Sequence, residues 1–547
     1  MFKTVGKWQT CFFVAAILLA GCGGGSGVGS GSANLAGQVL QASATAPKVL
    51  HYAASRFLEH AAMGPSPSSV AQVRSLGIAG WIDAQTKLPA SLISTPPTLI
   101  NYDNNLDRTT AERAARFSNL SVMNNFVAGE DQLRLRVSWA LSNLLVVSNR
   151  KIQPYGVNEY FNTLQRNAFG QYGDLLKAVT LSPAMGFYLD NGSNNRWNLN
   201  ENYGRELMQL FSVGLVQLNL DGSAKRDTAG RPLETYSQGD VIAATKALTG
   251  WSYVPRGTQP FVSDANGFNY GLSMVATNAD SHDTTAKTVL GKSIAAGQTA
   301  AQDLDSLINI LVTHPNTAPF VSLRLIQALT ASDPSPAYLS RVATVFQQTN
   351  GNLAQVISTI LLDSEARVGD AAGVASRVGR IKEPHLLLVS VERGLGCLSA
   401  IRSDWNIEQP WQSDQQQPFN ADSVFNFYPP NHRAPGSGLL APEQKTLNSQ
   451  EFNSRLGAFG WRLGYLTRAA DAGCDVQAVK DAVAQSDDKL LTLVSDRFFR
   501  GAMPAAVRQG LLEANAANLT TDRASPMTFV GALLDMASVT PAFGVTK

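Results

Sequence analysis

The stretch Glu130-Asp131-Gln132-Leu133-Arg134-Leu135-Arg136-Val137-Ser138-Trp139-Ala140-Leu141-Ser142-Asn143-Leu144-Leu145-Val146-Val147 sets the fold class. Leu133, Val137, Ala140, Leu141, Leu144 and Leu145 recur at three- and four-residue steps, which lines them along one face of an α-helix. Glu130 and Asp131 precede that stripe, where a helix dipole favours acids.

Working outward, the same period recurs at 49–62, 109–126, 157–169, 303–313, 318–330, 335–348, 352–363, 441–465 and 486–499. Asp303 and Ser335 read as N-caps. Strand patterns are scarce. Residues 216–220, followed by Asp221-Gly222, read as one arm of a hairpin. The expected fold is therefore mainly α: a large multi-helix globular body with long irregular loops and at most a small β-hairpin. A chain of 547 residues exceeds one ordinary core, so two or more subdomains are expected in the body, residues 47–547. Irregular stretches at 221–236, 251–300 and 403–440 are long enough to suggest functional loops.

The N-terminus reads differently. Lys3 and Lys7 precede a short apolar run at 11–20, the layout of a secretory signal peptide over residues 1–21. The run is shorter than the roughly 20 residues needed to span a bilayer. Leu19-Ala20-Gly21-Cys22 resembles the lipobox of bacterial lipoproteins, which implies lipidation at Cys22 and export. Position 23 is Gly rather than the Asp associated with inner-membrane retention, which favours the outer membrane. Residues 22–46, rich in Gly, Ser and Ala, form a tether that reaches roughly 25–30 Å.

A net charge of +2 argues against a nucleic-acid partner. The expected membrane contact is the lipid on Cys22. Of four cysteines, Cys11 leaves with the signal peptide, and Cys397 and Cys474 remain in the body. An oxidising compartment permits a disulfide between them, and the sequence leaves their pairing open.

Four blocks carry a family resemblance. The first is Ala54-Ser55-Arg56-Phe57-Leu58-Glu59-His60-Ala61-Ala62-Met63-Gly64-Pro65, with Leu76-Gly77-Ile78 and Trp81-Ile82-Asp83-Ala84-Gln85. The second, and most specific, is Glu201-Asn202-Tyr203-Gly204-Arg205-Glu206-Leu207-Met208-Gln209-Leu210-Phe211-Ser212-Val213-Gly214-Leu215. The third runs from Tyr236 and Asp240 to Thr249-Gly250-Trp251, then His282-Asp283, Lys287 and Leu290-Gly291. The fourth is Ser423-Val424-Phe425-Asn426-Phe427-Tyr428-Pro429-Pro430. Together they resemble the bacterial family known as domain of unknown function 1800, from about residue 50 to near the C-terminus. The resemblance implies an exported, helix-rich protein and no known reaction. It also implies a co-exported partner that resembles sulfatases and phosphatases. Some members carry His-Asn-His on the helix matching 130–147. Here the equivalent positions read Ser142-Asn143-Leu144, so a metal role built on those histidines is absent.

The candidate chemistry gathers in these blocks. On a helix expected over 201–213, Asn202 and Glu206 share one flank of the apolar stripe made by Tyr203, Leu207, Leu210 and Phe211. Glu201 and Arg205 form an i,i+4 pair of the stabilising orientation. A carboxylate at the edge of an apolar face is partly desolvated, which suits Glu206 to acid/base work; a salt-bridged structural helix explains the same residues. Asp240 on the next helix can serve as a second carboxylate for glycoside hydrolysis, or simply as an acid at a helix start. His282-Asp283 can act as an auxiliary base, with Lys287 one turn on; alternatively Asp283 caps a short helix over 284–290. His314-Pro315 marks the end of one helix before another. Trp405, Trp411, Phe419, Phe425, Phe427 and Tyr428 crowd one region and are expected to be buried.

His-Glu-x-x-His, Cys-x-x-Cys, EF-hand, Gly-x-Ser-x-Gly and dinucleotide-binding patterns are all missing, and the sequence leaves any cofactor or metal requirement open. Two functional readings remain. One is a cell-envelope hydrolase of a polysaccharide or glycan, with Glu206, Asp240, His282 and Asp283 catalytic and Asn202, Arg205 and Lys287 binding. The other is a non-catalytic surface protein that binds or presents a co-exported partner.

Overall fold

The computed structural model describes residues 49–96, 108–254, 269–276, 278–374, 376–397, 416–468, 474–516 and 525–547. The segments read as a signal peptide (1–21) and a tether (22–46), with Cys22, and also Trp405 and Trp411, lie outside the described residues.

In chain order the helices begin with α1 (His51–Ala61), α2 (Pro67–Leu76), α3 (Ile78–Thr86), α4 (Arg108–Ala128), α5 (Gln132–Leu144), α6 (Pro154–Asn167), α7 (Tyr172–Thr180), α8 (Pro183–Tyr188), α9 (Glu201–Gln209) and α10 (Gln238–Ala247). Strands β1 (Lys287–Val289) and β2 (Lys292–Ile294) follow, then α11 (Ala300–Thr313), α12 (Thr317–Leu329), α13 (Pro336–Gln348), α14 (Leu353–Leu362) and α15 (Ser364–Arg367). After β3 (Arg380–Ile381) come α16 (Pro384–Gly394), α17 (Ser449–Arg468), α18 (Val476–Gln485), α19 (Asp487–Phe498), α20 (Ala505–Ala516), α21 (Pro526–Ser538), α22 (Pro541–Gly544) and β4 (Val545–Thr546). The protein is mainly α.

Helix α5 sits at the centre and packs on α1, α3, α4, α6 and α12. It buries more than the single stripe its sequence suggests. Leu135, Arg136, Ser138 and Trp139 are buried along with Leu133, Val137 and Leu141, because neighbours cover it on nearly every side. Asp131 lies just before the first turn and makes no side-chain cap. Its carboxylate instead accepts from Ser91 N at 2.9 Å and Ser91 Oγ at 2.5 Å, which ties the segment after α3 to the start of α5.

Other helix starts follow local chemistry. Ser335 caps α13 by accepting from Tyr338 N. Thr299, rather than Asp303, caps α11 through a capping box with Gln302. Asp303 lies inside that helix and is fully buried. Helix α9 ends at Gln209, four residues earlier than the apolar period suggests. There Gly214, at φ 67°, sends its N–H back to Met208 O and closes the turn.

Two small antiparallel ladders complete the fold. The β1–β2 hairpin turns on Leu290 and Gly291, both at positive φ, as a two-residue hairpin turn requires. The β3–β4 ladder pairs Arg380 with Thr546, a second sheet beyond the one small hairpin that local sequence suggests. Residues 215–235 make a bridged meander in which Leu218 faces Ala224 across the Asp221-Gly222 turn. Apolar side chains from α1 to α22 join in one continuous core. Residues 47–547 make one compact unit. No described helix is long and apolar enough to cross a membrane.

Candidate functional site

Helix α9 carries most of the second family block, and α10 carries Asp240 of the third. They approach closely because Gly204 faces α10: a Cβ there would lie 2.7 Å from Thr245 Oγ1. Tyr203, Leu207 and Phe211 are fully buried beneath. On the outer side, Arg205 Nη2 donates to Glu201 Oε2 at 2.8 Å and to Gln238 Oε1 at 3.0 Å. Asn202 Nδ2 donates to Asp190 Oδ2 at 3.0 Å on the exposed surface.

Glu206 is half-buried, and its Oε2 makes no hydrogen bond among the described residues. Burial raises its pKa, and the neighbouring Arg205 only partly opposes that. Asp240 is placed differently. It is the third residue of α10 and closes a capping box with Ser237. Its Oδ2 accepts from Ser237 N at 2.8 Å and Ser237 Oγ at 2.6 Å, and its Oδ1 accepts from Leu290 N at 2.7 Å. Burial pushes its pKa up, but these hydrogen bonds outweigh that and hold it below the usual range. Its work here is to cap α10 and anchor the β1–β2 turn.

His282 meets a carboxylate, but the partner is Asp303 rather than Asp283. Its Nε2 lies 3.1 Å from Asp303 Oδ2, and its Nδ1 lies 2.9 Å from Thr249 O. Lys287 Nζ reaches the same Asp303 oxygen at 2.6 Å and donates to the carbonyls of Asp283 and Thr285. The three side chains are buried together. Asp283 accepts from Thr285 N at 2.9 Å and Thr285 Oγ1 at 2.5 Å, a turn rather than a helix cap. Strand β1 occupies the place of the short helix considered over 284–290. This knot fastens the loop after α10 onto α11.

An open site lies elsewhere. A cleft of about 470 Å³ runs between α5, α12, the segment after α9 and the fourth family block. Its floor is the buried ion pair Arg380–Glu443, at 2.9 Å. Burial pulls the Arg380 pKa down, but Glu443 and Glu383 more than restore it and leave it raised. On one wall Asn143 Oδ1 accepts from Asn426 Nδ2, so the Ser142-Asn143-Leu144 stretch faces the fourth block. Gln327 Nε2 pins that block by donating to Pro430 O at 3.1 Å. Asn316 shapes the opposite wall: it donates to Val213 O and Val216 O and accepts from Leu218 N.

Arg324 on α12 lines the cleft. Its Nη1 donates to Gln327 Oε1 at 3.2 Å, and its guanidinium lies 4.9 Å from the Phe320 ring centre. No acidic side chain pairs with it among the described residues. Burial lowers its pKa to about 10, which leaves it charged at neutral pH. Leu215 and Phe425 stand exposed among the lining residues. Of the aromatic residues expected to be buried, Phe419 is, Phe427 and Tyr428 are half-buried, and Phe425 is not. Sequence reasoning passed over Arg324 and Gln327 because they sit within an ordinary helical period, and over Asn316 because it sits in the short link just before α12. The only cue was the His314-Pro315 helix end just before them; His314 does close α11.

Cys397 and Cys474 are joined by a disulfide. Among the described residues, no three His, Cys, Asp or Glu side chains gather as a metal centre.

No curated protein and no solved structure matches the chain. The family described as "Protein of unknown function (DUF1800)" matches residues 56–545, which include the cleft, the His282 knot and the four sequence blocks apart from Ala54 and Ser55, and the chain belongs to that family.

Proposed function

We propose that this protein is an exported, lipid-anchored surface protein that works by binding. Its cleft takes a segment of a partner protein that carries an apolar side chain and a free carboxylate. The observation that carries this reading is Arg324: a partly desolvated guanidinium, without an acidic partner among the described residues, in a mainly apolar cleft. A guanidinium so placed receives a carboxylate through two parallel hydrogen bonds. The exposed Leu215 and Phe425 offer apolar surface to the same segment. The co-exported sulfatase- or phosphatase-like proteins implied by the family resemblance are the candidate partners, met at the outer membrane where the lipid on Cys22 would hold the body.

An array of short peptides, each with an apolar residue and a free carboxylate, tests this against the full chain. Wild type retains a subset, while amidating the carboxylate or replacing Arg324→Gln removes it. Equal retention of amidated peptides would exclude a carboxylate receptor.

Glu206 supports a second reading, a hydrolase of envelope polysaccharide or glycan. Its raised pKa and unpaired Oε2 suit a general acid, and it lies one turn before Gln209, which lines the cleft. Glycan cleavage by wild type that disappears in a folded Glu206→Gln variant would support this reading. Full activity in that variant would remove it.

A further inference from the structure

Helix α1 places Arg56 and His60 one turn apart, both fully buried. Arg56 Nη1 donates to Ala366 O at 2.5 Å and Asp370 Oδ1 at 2.8 Å. Its Nε and Nη2 make no hydrogen bond among the described residues, and neither does either ring nitrogen of His60. Arg136 enters from α5; it donates from Nη2 to Ala328 O at 2.6 Å and leaves Nε and Nη1 unmatched. Arg367 lies over the Phe57 ring at 5.5 Å; its guanidinium makes no hydrogen bond among the described residues, and only Nη1 comes near a carboxylate, 3.4 Å from Asp370 Oδ2. Buried donors are almost always satisfied in folded proteins, so this many together call for an acceptor.

The charges point the same way. Four cations, Arg56, Arg136, Arg367 and Arg500, bear on His60 together. Arg56 and Arg367 share Asp370; Lys382 and Arg500 share Glu59. Burial, then Arg56, Arg367, Arg136 and Arg500, hold the His60 pKa far below its ordinary value. A buried excess of positive charge is costly unless an anion balances it.

We propose that Arg56, His60, Arg136 and Arg367 form a binding site for a small tetrahedral oxyanion such as inorganic phosphate or sulfate. The guanidinium N–H groups donate to its oxygens, and the ring N–H of His60 adds a further donor. The ion enters beside the 368–374 loop, where the Arg367 and Asp370 side chains are partly exposed. Gly369 lets that loop lie against Arg56: a Cβ there would sit 2.9 Å from Nη2. The site is separate from the cleft reading and stands or falls without it.

The test uses the full chain, dialysed free of phosphate and sulfate at constant ionic strength in sodium chloride. Ion chromatography after denaturation measures retained anion, and thermal unfolding follows a phosphate titration. The expected result is either about one oxyanion equivalent released per chain or a saturable rise in the unfolding midpoint with phosphate. Arg367→Gln loses that behaviour, and the exposed control Arg231→Gln keeps it. If Arg367→Gln does not fold, Arg367→Lys decides, because it keeps the charge but lacks the planar fork. A weakened phosphate response in Arg367→Lys supports the site, and an unchanged one overturns it. No released oxyanion together with no phosphate effect beyond that of chloride would also overturn it.

Discussion

Asp303 Oδ2 serves two buried cationic or polar partners at once: Lys287 Nζ at 2.6 Å and His282 Nε2 at 3.1 Å. Removing one member of a buried charge pair costs about 3–5 kcal/mol, because the other is left uncompensated. Asp303→Ala is therefore expected to destabilise the protein by that amount. Asp283→Asn should cost far less, because its carboxylate mainly closes a turn. Denaturant unfolding of the two variants separates these roles. Equal effects would mean that Asp303 is not the centre of the knot.

Gly64 makes a sharper steric prediction. It lies at φ 145°, and a Cβ there would sit 2.6 Å from Ser390 Cα on α16. Its carbonyl also accepts from Arg393 Nε at 2.8 Å. Gly64→Ala adds backbone strain and a backbone clash, and it should lower stability by about 2 kcal/mol or more. A variant as stable as wild type would show that the segment after α1 does not meet α16 this way.

Much of the helical frame was legible because its signals are local. Ser335 precedes α13, and the apolar steps of α5, α12 and α14 appear directly in the residues. The failures came from contacts distant in sequence. Asp303 looks like a cap until His282 and Lys287 are seen to need its charge inside the core. Leu290 gives no turn signal, since leucine seldom adopts positive φ, yet it turns the hairpin with Gly291. The β3–β4 ladder joins residues over 160 apart, and no window of sequence contains both strands. In the candidate site, the Glu201–Arg205 pair was readable from i,i+4 spacing. Arg324 was not, because its importance lies in the lack of an acidic partner in space among the described residues.

His385 gives a pH prediction. It is buried 4.2 Å from the Trp139 ring, with Glu383 at 3.7 Å and Arg136, Arg380 and Arg455 around it. Burial lowers its pKa to about 4, with Glu383 opposing and the arginines reinforcing. The folded state then binds fewer protons than the unfolded chain. Its contribution is fully present above the unfolded pKa of about 6.5 and is lost as the pH falls toward 4, by about 1 kcal/mol per pH unit. Glu383, held at about 2 by its cationic neighbours against the effect of burial, adds acid sensitivity only at lower pH. His60 and His314 are lowered as well, so His385→Phe isolates the effect. That variant should flatten the stability profile between pH 6.5 and 4.5. An unchanged slope would contradict the assignment.

The central claim is that the cleft around Arg324 receives a carboxylate-bearing partner segment. A charge-assisted hydrogen bond of this kind contributes about 1.5–3 kcal/mol, or roughly a 10- to 100-fold change in affinity. The most direct measurement places a photo-crosslinking side chain at Phe425 in the full-length protein expressed in its own cells, with and without Arg324→Gln. The account predicts one dominant crosslinked protein, attached through a segment with an apolar residue beside a carboxylate, and a yield that falls at least tenfold with Arg324→Gln. No crosslinked partner, or a yield indifferent to Arg324, would contradict it.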